Sequence, residues 1–211
     1  MFAQKEGDVV RVYYDGVRYL AQKRAMSCWY ACAKMVYAFS RPAGTKVKQE
    51  LIVANAEKAS AIDSLMKKSH PIAEERLDNI GATEKDWPLI ADAFGFETVP
   101  QAEVKKIGLS FDELVEALAK YGPLWAAGRF YQGGNQTAGH VICITGAIVR
   151  QVARKPTNYV VFHDPAPSNL QGGPDCLKQF DIYIKSRGDT KNGLFTWEET
   201  EGQSPLMYKK K

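Results

Sequence analysis

Histidine is scarce in this chain: there are three in 211 residues, His70, His140 and His163. Any reaction that needs an imidazole must use one of them. Cysteine is nearly as sparse, and four residues in a chain of this length do not make a disulfide scaffold. Cys28 and Cys32 stand four apart on a predicted helix, a geometry unsuited to a bridge, which leaves Cys143 with Cys176 as an open pairing. No second Cys or His pair carries zinc spacing, so neither a metal nor another cofactor is expected. Long apolar runs are also missing. Nothing approaches the ~18 residues of a membrane helix, so no membrane insertion is expected. The opening stretch Met1 to Asp8 has no apolar core of a signal peptide. The expectation is therefore a cytoplasmic protein, one secreted without a cleaved signal, or a domain of a longer chain. Charge of one sign is lacking too: 28 Lys and Arg face 24 Asp and Glu, for a net +4. Lys67-Lys68, Lys105-Lys106 and Lys209 to Lys211 are scattered, which reads as solvated surface rather than a nucleic-acid stripe. With no repeat, low-complexity tract or linker, residues 1–211 read as a single domain.

Two periodicities divide the chain. Val9 to Tyr14, Asp15-Gly16 and Val17 to Leu20 read as a β-hairpin. Trp29, Cys32, Ala33 and Val36 recur at helical spacing, predicting a helix over Cys28–Phe39 with Ser27 as N-cap. Further helices are expected over residues 46–70, over Glu84–Phe94 with Gly95 as the stop, and from the capping box Ser110-Phe-Asp-Glu113 to Tyr121. From Leu124 the period shortens to two. Leu124–Phe130, Val141–Ile148, Tyr159–His163 and Phe180–Ile184 read as strands. The fold class is thus α+β: a helical N-terminal half packed against an antiparallel C-terminal sheet.

The chemistry is concentrated in one spacing, Gln22-Lys-Arg-Ala-Met-Ser-Cys28-Trp29. A thiol that attacks a carbonyl must be held as a thiolate and must have a donor facing the oxyanion it creates. Cys28 in a first helical turn meets orphan N–H groups and the positive end of the dipole. A Gln side chain just upstream can join the Cys28 N–H as oxyanion donor. Gly139-His140 and Val160-Val-Phe-His163-Asp164-Pro165 follow far downstream. Cysteine first, then histidine, then a carboxylate or amide is the chain order of papain-like enzymes.

Gln22 with Ser27-Cys28-Trp29-Tyr30-Ala31-Cys32, Gly122-Pro123-Leu124-Trp125, Gly139-His140 and His163-Asp164-Pro165 together resemble the bacterial papain-like cysteine proteases, in particular the effector and toxin branch. The likeness runs from about Gln22 to Pro167. Asp164 stands where plant and lysosomal papains carry Asn, and their Cys-Gly-Ser-Cys run is missing. The resemblance implies a papain-like fold with the site in the cleft between its halves. It also implies a protein or peptide substrate, delivery into another cell, and a possible cognate immunity protein.

Each residue also has a plainer reading. A lone helical Cys is usually a small buried hydrophobe; that reading suits Cys32, while Cys28 is the expected nucleophile. His70 lies in a surface-like context. His163 would serve as base only if the resemblance misaligned it, so His140 is the expected base. Strand alternation turns His163 and Asp164 to opposite faces. Asp164 before Pro could be a mere turn former; as a third member it would orient His140. Trp125 and Tyr131 read as core and cleft wall. The same set could deamidate or transfer acyl groups, and a silent papain-like binding module is the non-enzymatic alternative.

Overall fold

The computed structural model of the chain describes residues 7–22, 26–39, 82, 84–132, 135–166, 172–180, 196–197 and 204–209. In chain order these form β1 (Val9–Tyr13), α1 (Cys28–Phe39), a 3₁₀ turn (Glu84–Asp86), α2 (Trp87–Phe94), β2 (Phe96–Thr98), α3 (Gln101–Leu109) and α4 (Phe111–Tyr121). Then come β3 (Leu124–Gln132), β4 (Asn135–Val152), β5 (Lys155–Asp164), β6 (Gly173–Gln179), β7 (Thr196–Trp197) and β8 (Leu206–Lys209). The helix expected over residues 46–70 lies outside the described residues.

Local chemistry explains where the helices end. Pro88 sits in the first turn of α2, and Gly95 closes that helix at φ 61°, a left-handed conformation that glycine adopts without a Cβ penalty. Ser110 Oγ accepts from Glu113 N at 3.5 Å, opening α4 at the predicted cap. Leu114, Ala117, Leu118 and Tyr121 then fall on one buried face of α4. In α1, apolar residues bury nearly all round, including Trp29, Cys32, Met35 and Val36.

The strands form one antiparallel sheet in the order β2-β8-β3-β4-β5-β6, with β1 also pairing β4 and β7 also pairing β3. Helices cover both faces. Val104, Ile107, Leu114 and Leu118 of α3 and α4 pack on Ile142, Ile144 and Phe162. Trp29, Cys32, Met35, Ile90 and Phe94 of α1 and α2 pack on Trp125, Val141 and Cys143. Alternation along β4 sends neighbouring residues to opposite cores. Each fully buried large apolar side chain contributes roughly 1.5–3 kcal/mol.

Three expectations need correction. The N-terminal hairpin does not form. Its turn exists, with Val17 N donating to Tyr14 O at 3.3 Å. β1, however, pairs with β4 in the register Val9↔Val149 to Tyr13↔Gly146. Val17 is drawn off any hairpin ladder because its side chain is buried and its carbonyl binds His163 at 2.8 Å. Of the strand expected over Phe180–Ile184 only Phe180 is described, and it is not in a strand, while residues 181–184 lie outside the described residues; an unexpected strand forms just before it, at Gly173–Gln179. β6 is only half-buried, so its pairing with β5 rather than an apolar rhythm defines it. Finally, the sheet is not confined to the C-terminal half, since β1 and β2 join it.

β4 is the organising strand. One of its edges is paired with β5 and the other is shared by β3 and β1. Its ladder with β5 slips between Ile144 and Gly146. There β1 comes so close that a Cβ on Gly146 would stand 2.7 Å from Val12 O.

Candidate active site

Two anchors fix the start of α1 against the sheet. The Trp125 indole N–H of β3 donates to Trp29 O at 3.0 Å. The Cys32 thiol donates to Val141 O of β4 at 3.3 Å. Cys28 precedes Cys32 by one helical turn on the same face, and His140 precedes Val141 by one strand residue. The anchor thus holds the first turn of α1 beside the segment of β4 that carries His140. Ala31 N donates to Ser27 O at 3.1 Å, which makes Ser27 the N-cap and Cys28 the first helical residue.

Cys28 stands near enough to the His140 ring to favour its protonated form. On the other side His140 Nε2 bonds Asp164 Oδ1 at 2.7 Å, at the end of β5. The two side chains of the His140–Asp164 pair are 14% and 10% exposed. Burial pushes the imidazole down, but hydrogen bonds and charge from Asp164 and Cys28 outweigh it, leaving His140 raised to about 9. Both neighbours thus favour the protonated form of the ring.

Asp164 is itself fixed. Its Oδ1 also accepts from Ala166 N at 2.9 Å, an Asx turn. Gly172 packs behind that turn so closely that a Cβ there would overlap Ala166 O. Gln22 reaches the same strand end through its backbone, Gln22 N donating to Pro165 O at 2.8 Å, and its side-chain Oε1 is buried. Lys23 to Ala25, which link this arm to Cys28, lie outside the described residues.

The structure therefore brings Cys28 and Asp164 to the same ring, His140, and ties the Gln22 arm beside Asp164 at Pro165. His163 is turned away, as alternation predicts, and its Nε2 bonds Val17 O at 2.8 Å. Cys32 and Cys143 are fully buried, which pushes their thiols well up and keeps them protonated. All four cysteines are free, so the open Cys143–Cys176 pairing is not made. Trp125 is wholly core. Its role in holding the first turn of α1 was not foreseen; the Gly122-Pro123-Leu124-Trp125 motif was the available signal.

The profile of the family described as papain-like cysteine protease AvrRpt2 matches residues 12–182. The chain belongs to that family. No curated protein matches the chain. Membership makes it a papain-like cysteine protease, a hydrolase with protein substrates, and the matched span contains Gln22, Cys28, His140 and Asp164. Among the described residues no group of three or more His, Cys, Asp or Glu could hold a metal ion. No described helix is long and apolar enough to cross a membrane.

Proposed function

We propose that this protease cleaves peptide or isopeptide bonds through a thioester on Cys28, with His140 as acid and base, Asp164 as its orienter and Gln22 as oxyanion donor. The observation that carries the reading is the His140–Asp164 bond at 2.7 Å, with Cys28 beside the same ring. The sulfur attacks the scissile carbonyl carbon, and the carbonyl oxygen becomes an oxyanion. The Cys28 N–H, unused within the helix, and the Gln22 amide stabilise that charge. His140, already protonated, passes its Nδ1 proton to the leaving amine as the C–N bond breaks. The ring then takes a proton from water, whose oxygen attacks the thioester. Collapse releases the acid and restores the thiolate–imidazolium pair. Asp164 keeps the ring aimed throughout. We further read the protein as a bacterial effector, a reading that rests on the family alone.

Labelling by an epoxide thiol inhibitor at neutral pH, located by mass spectrometry, tests the nucleophile. Cys28 should carry the label and His140→Ala should suppress it. Mapping of new protein N-termini produced by the protease but not by Cys28→Ala tests the reaction. A mass change on glutamine or lysine side chains without new termini would replace hydrolysis by deamidation or acyl transfer.

A further inference from the structure

The proposed mechanism leaves one buried histidine unused. His163 is 3% exposed and precedes Asp164. Both of its ring nitrogens are engaged. Nε2 meets Val17 O at 2.8 Å, and Nδ1 accepts from Asp175 N at 3.0 Å. A carbonyl can only accept and a backbone N–H can only donate, so the ring carries its proton on Nε2 and is neutral. The other groups facing it agree with that state. Tyr19 packs edge-on at 5.8 Å, Cys143 lies across the ladder, and the Asp175 carboxylate stands 3.8 Å away. That carboxylate is already engaged by Tyr13 OH at 2.8 Å. Burial holds His163 below its ordinary range.

The connections form a bracket. Asp175 of β6 holds a left-handed conformation at φ 50°, uncommon outside glycine, and its N–H is the one that meets Nδ1. On the other side His163 fixes the start of the segment 17–22, and Pro165 O fixes its end through Gln22 N at 2.8 Å. Asp164 lies between these two ties. The Gln22 arm is otherwise irregular backbone with no ladder to define its position.

We infer that His163 is a positioning residue: in its neutral, Nε2-protonated form it locks the Val17–Gln22 arm to the end of β5, so that the oxyanion donor and the orienting carboxylate share one frame. The inference rests on the proposed role of Gln22, and its test has one readout that does not need activity.

Amide hydrogen exchange of full-length protein should show the segment 17–22 exchanging at least about tenfold faster in His163→Phe, with β4 and β5 protection unchanged. Phe keeps the ring packing and removes both hydrogen bonds. His163→Gln can place an amide donor where Nε2 was and should keep the segment protected. His163→Asn reaches only the Nδ1 position and should not. On a peptide found by the cleavage mapping, His163→Phe should lower kcat about 10- to 100-fold with KM nearly unchanged, since small misplacements of a catalytic group cost that much. The double variant His163→Phe/Gln22→Ala should be no slower than Gln22→Ala. Equal protection of 17–22 in all variants, loosening of the whole sheet, or additive losses in the double variant would overturn the inference. An inert Gln22→Ala alongside a deprotected arm would instead remove the oxyanion role of Gln22, and the inference would fall with it.

Discussion

Asp164→Asn probes the polar line at its best-defined distance. The bond from His140 Nε2 to Asp164 Oδ1 is 2.7 Å long. Taking charge centres about 4 Å apart and an effective dielectric of about 20, the attraction is about 4 kcal/mol, or about 3 pKa units. That is large enough to reverse the downward push of burial and, with Cys28, to account for a ring raised to about 9. Asparagine keeps an acceptor for the ring but loses the charge. In Asp164→Asn the His140 titration should therefore move down by at least about 1 unit, and in Asp164→Ala further. Partial turnover should survive in the Asn form and less in the Ala form, whose imidazole has no orienting partner. NMR titration of labelled imidazole, with the signal assigned through His140→Gln, reads the shift directly. Stability supplies a second reading. A ring raised in the folded state stabilises it fully below the unfolded value near 6.5, and that stability is lost as pH rises from 6.5 to about 9. The loss is on the order of 3 kcal/mol, and His140→Gln should flatten the slope across that window. A wild-type His140 that titrates near 6.5, or one unmoved by Asp164→Asn, would refute the reasoning.

Cys28→Ala should abolish turnover while thermal unfolding shifts little, because one small side chain is lost at the rim of the core; a strongly lowered midpoint would assign Cys28 a structural role instead. Gln22→Ala should lower kcat by roughly 10²- to 10³-fold with less effect on KM, the mark of a group that acts on transition-state charge. A loss confined to KM in steady-state assays would make Gln22 a substrate contact. Gly146→Ala should destabilise the fold by about 1–3 kcal/mol in chemical denaturation, because its Cβ would press on Val12 O at 2.7 Å. An unchanged midpoint would show that β1 can yield.

Helix α1, the Ser110 cap, the Gly95 stop and the central strands were legible because apolar rhythm and cap chemistry act within a few residues. The candidate triad was legible because residue type and chain order constrain it strongly when only three histidines exist. What escaped depends on partners distant in sequence. Val9 to Tyr13 has the alternation and turn of a hairpin arm, but the register that wins lies about 135 residues on, at Gly146 to Val149. α3 buries little beyond Val104 and Ile107, so its period is faint. β8 is four residues long and takes its identity from lying between β2 and β3. The anchors from Trp125 and Cys32 to backbone carbonyls leave no pattern in sequence, because a carbonyl acceptor is present at every residue.

The position of β8 also bears on how the protein is made. Leu206 and Met207, both without exposed surface, fill an interior place in the sheet between β2 and β3. The ribosome delivers them after α1, the His140 strand and the Asp164 strand have all left the tunnel. Until then β2 and the Trp125–Ala126 stretch of β3 lack their shared partner strand, and the apolar floor beneath α1 and α2 lacks Met207. The nascent chain would thus hold its nucleophile before it holds the sheet that aims it. Insertion of that late strand would set when a potentially destructive hydrolase becomes competent inside the cell that produces it.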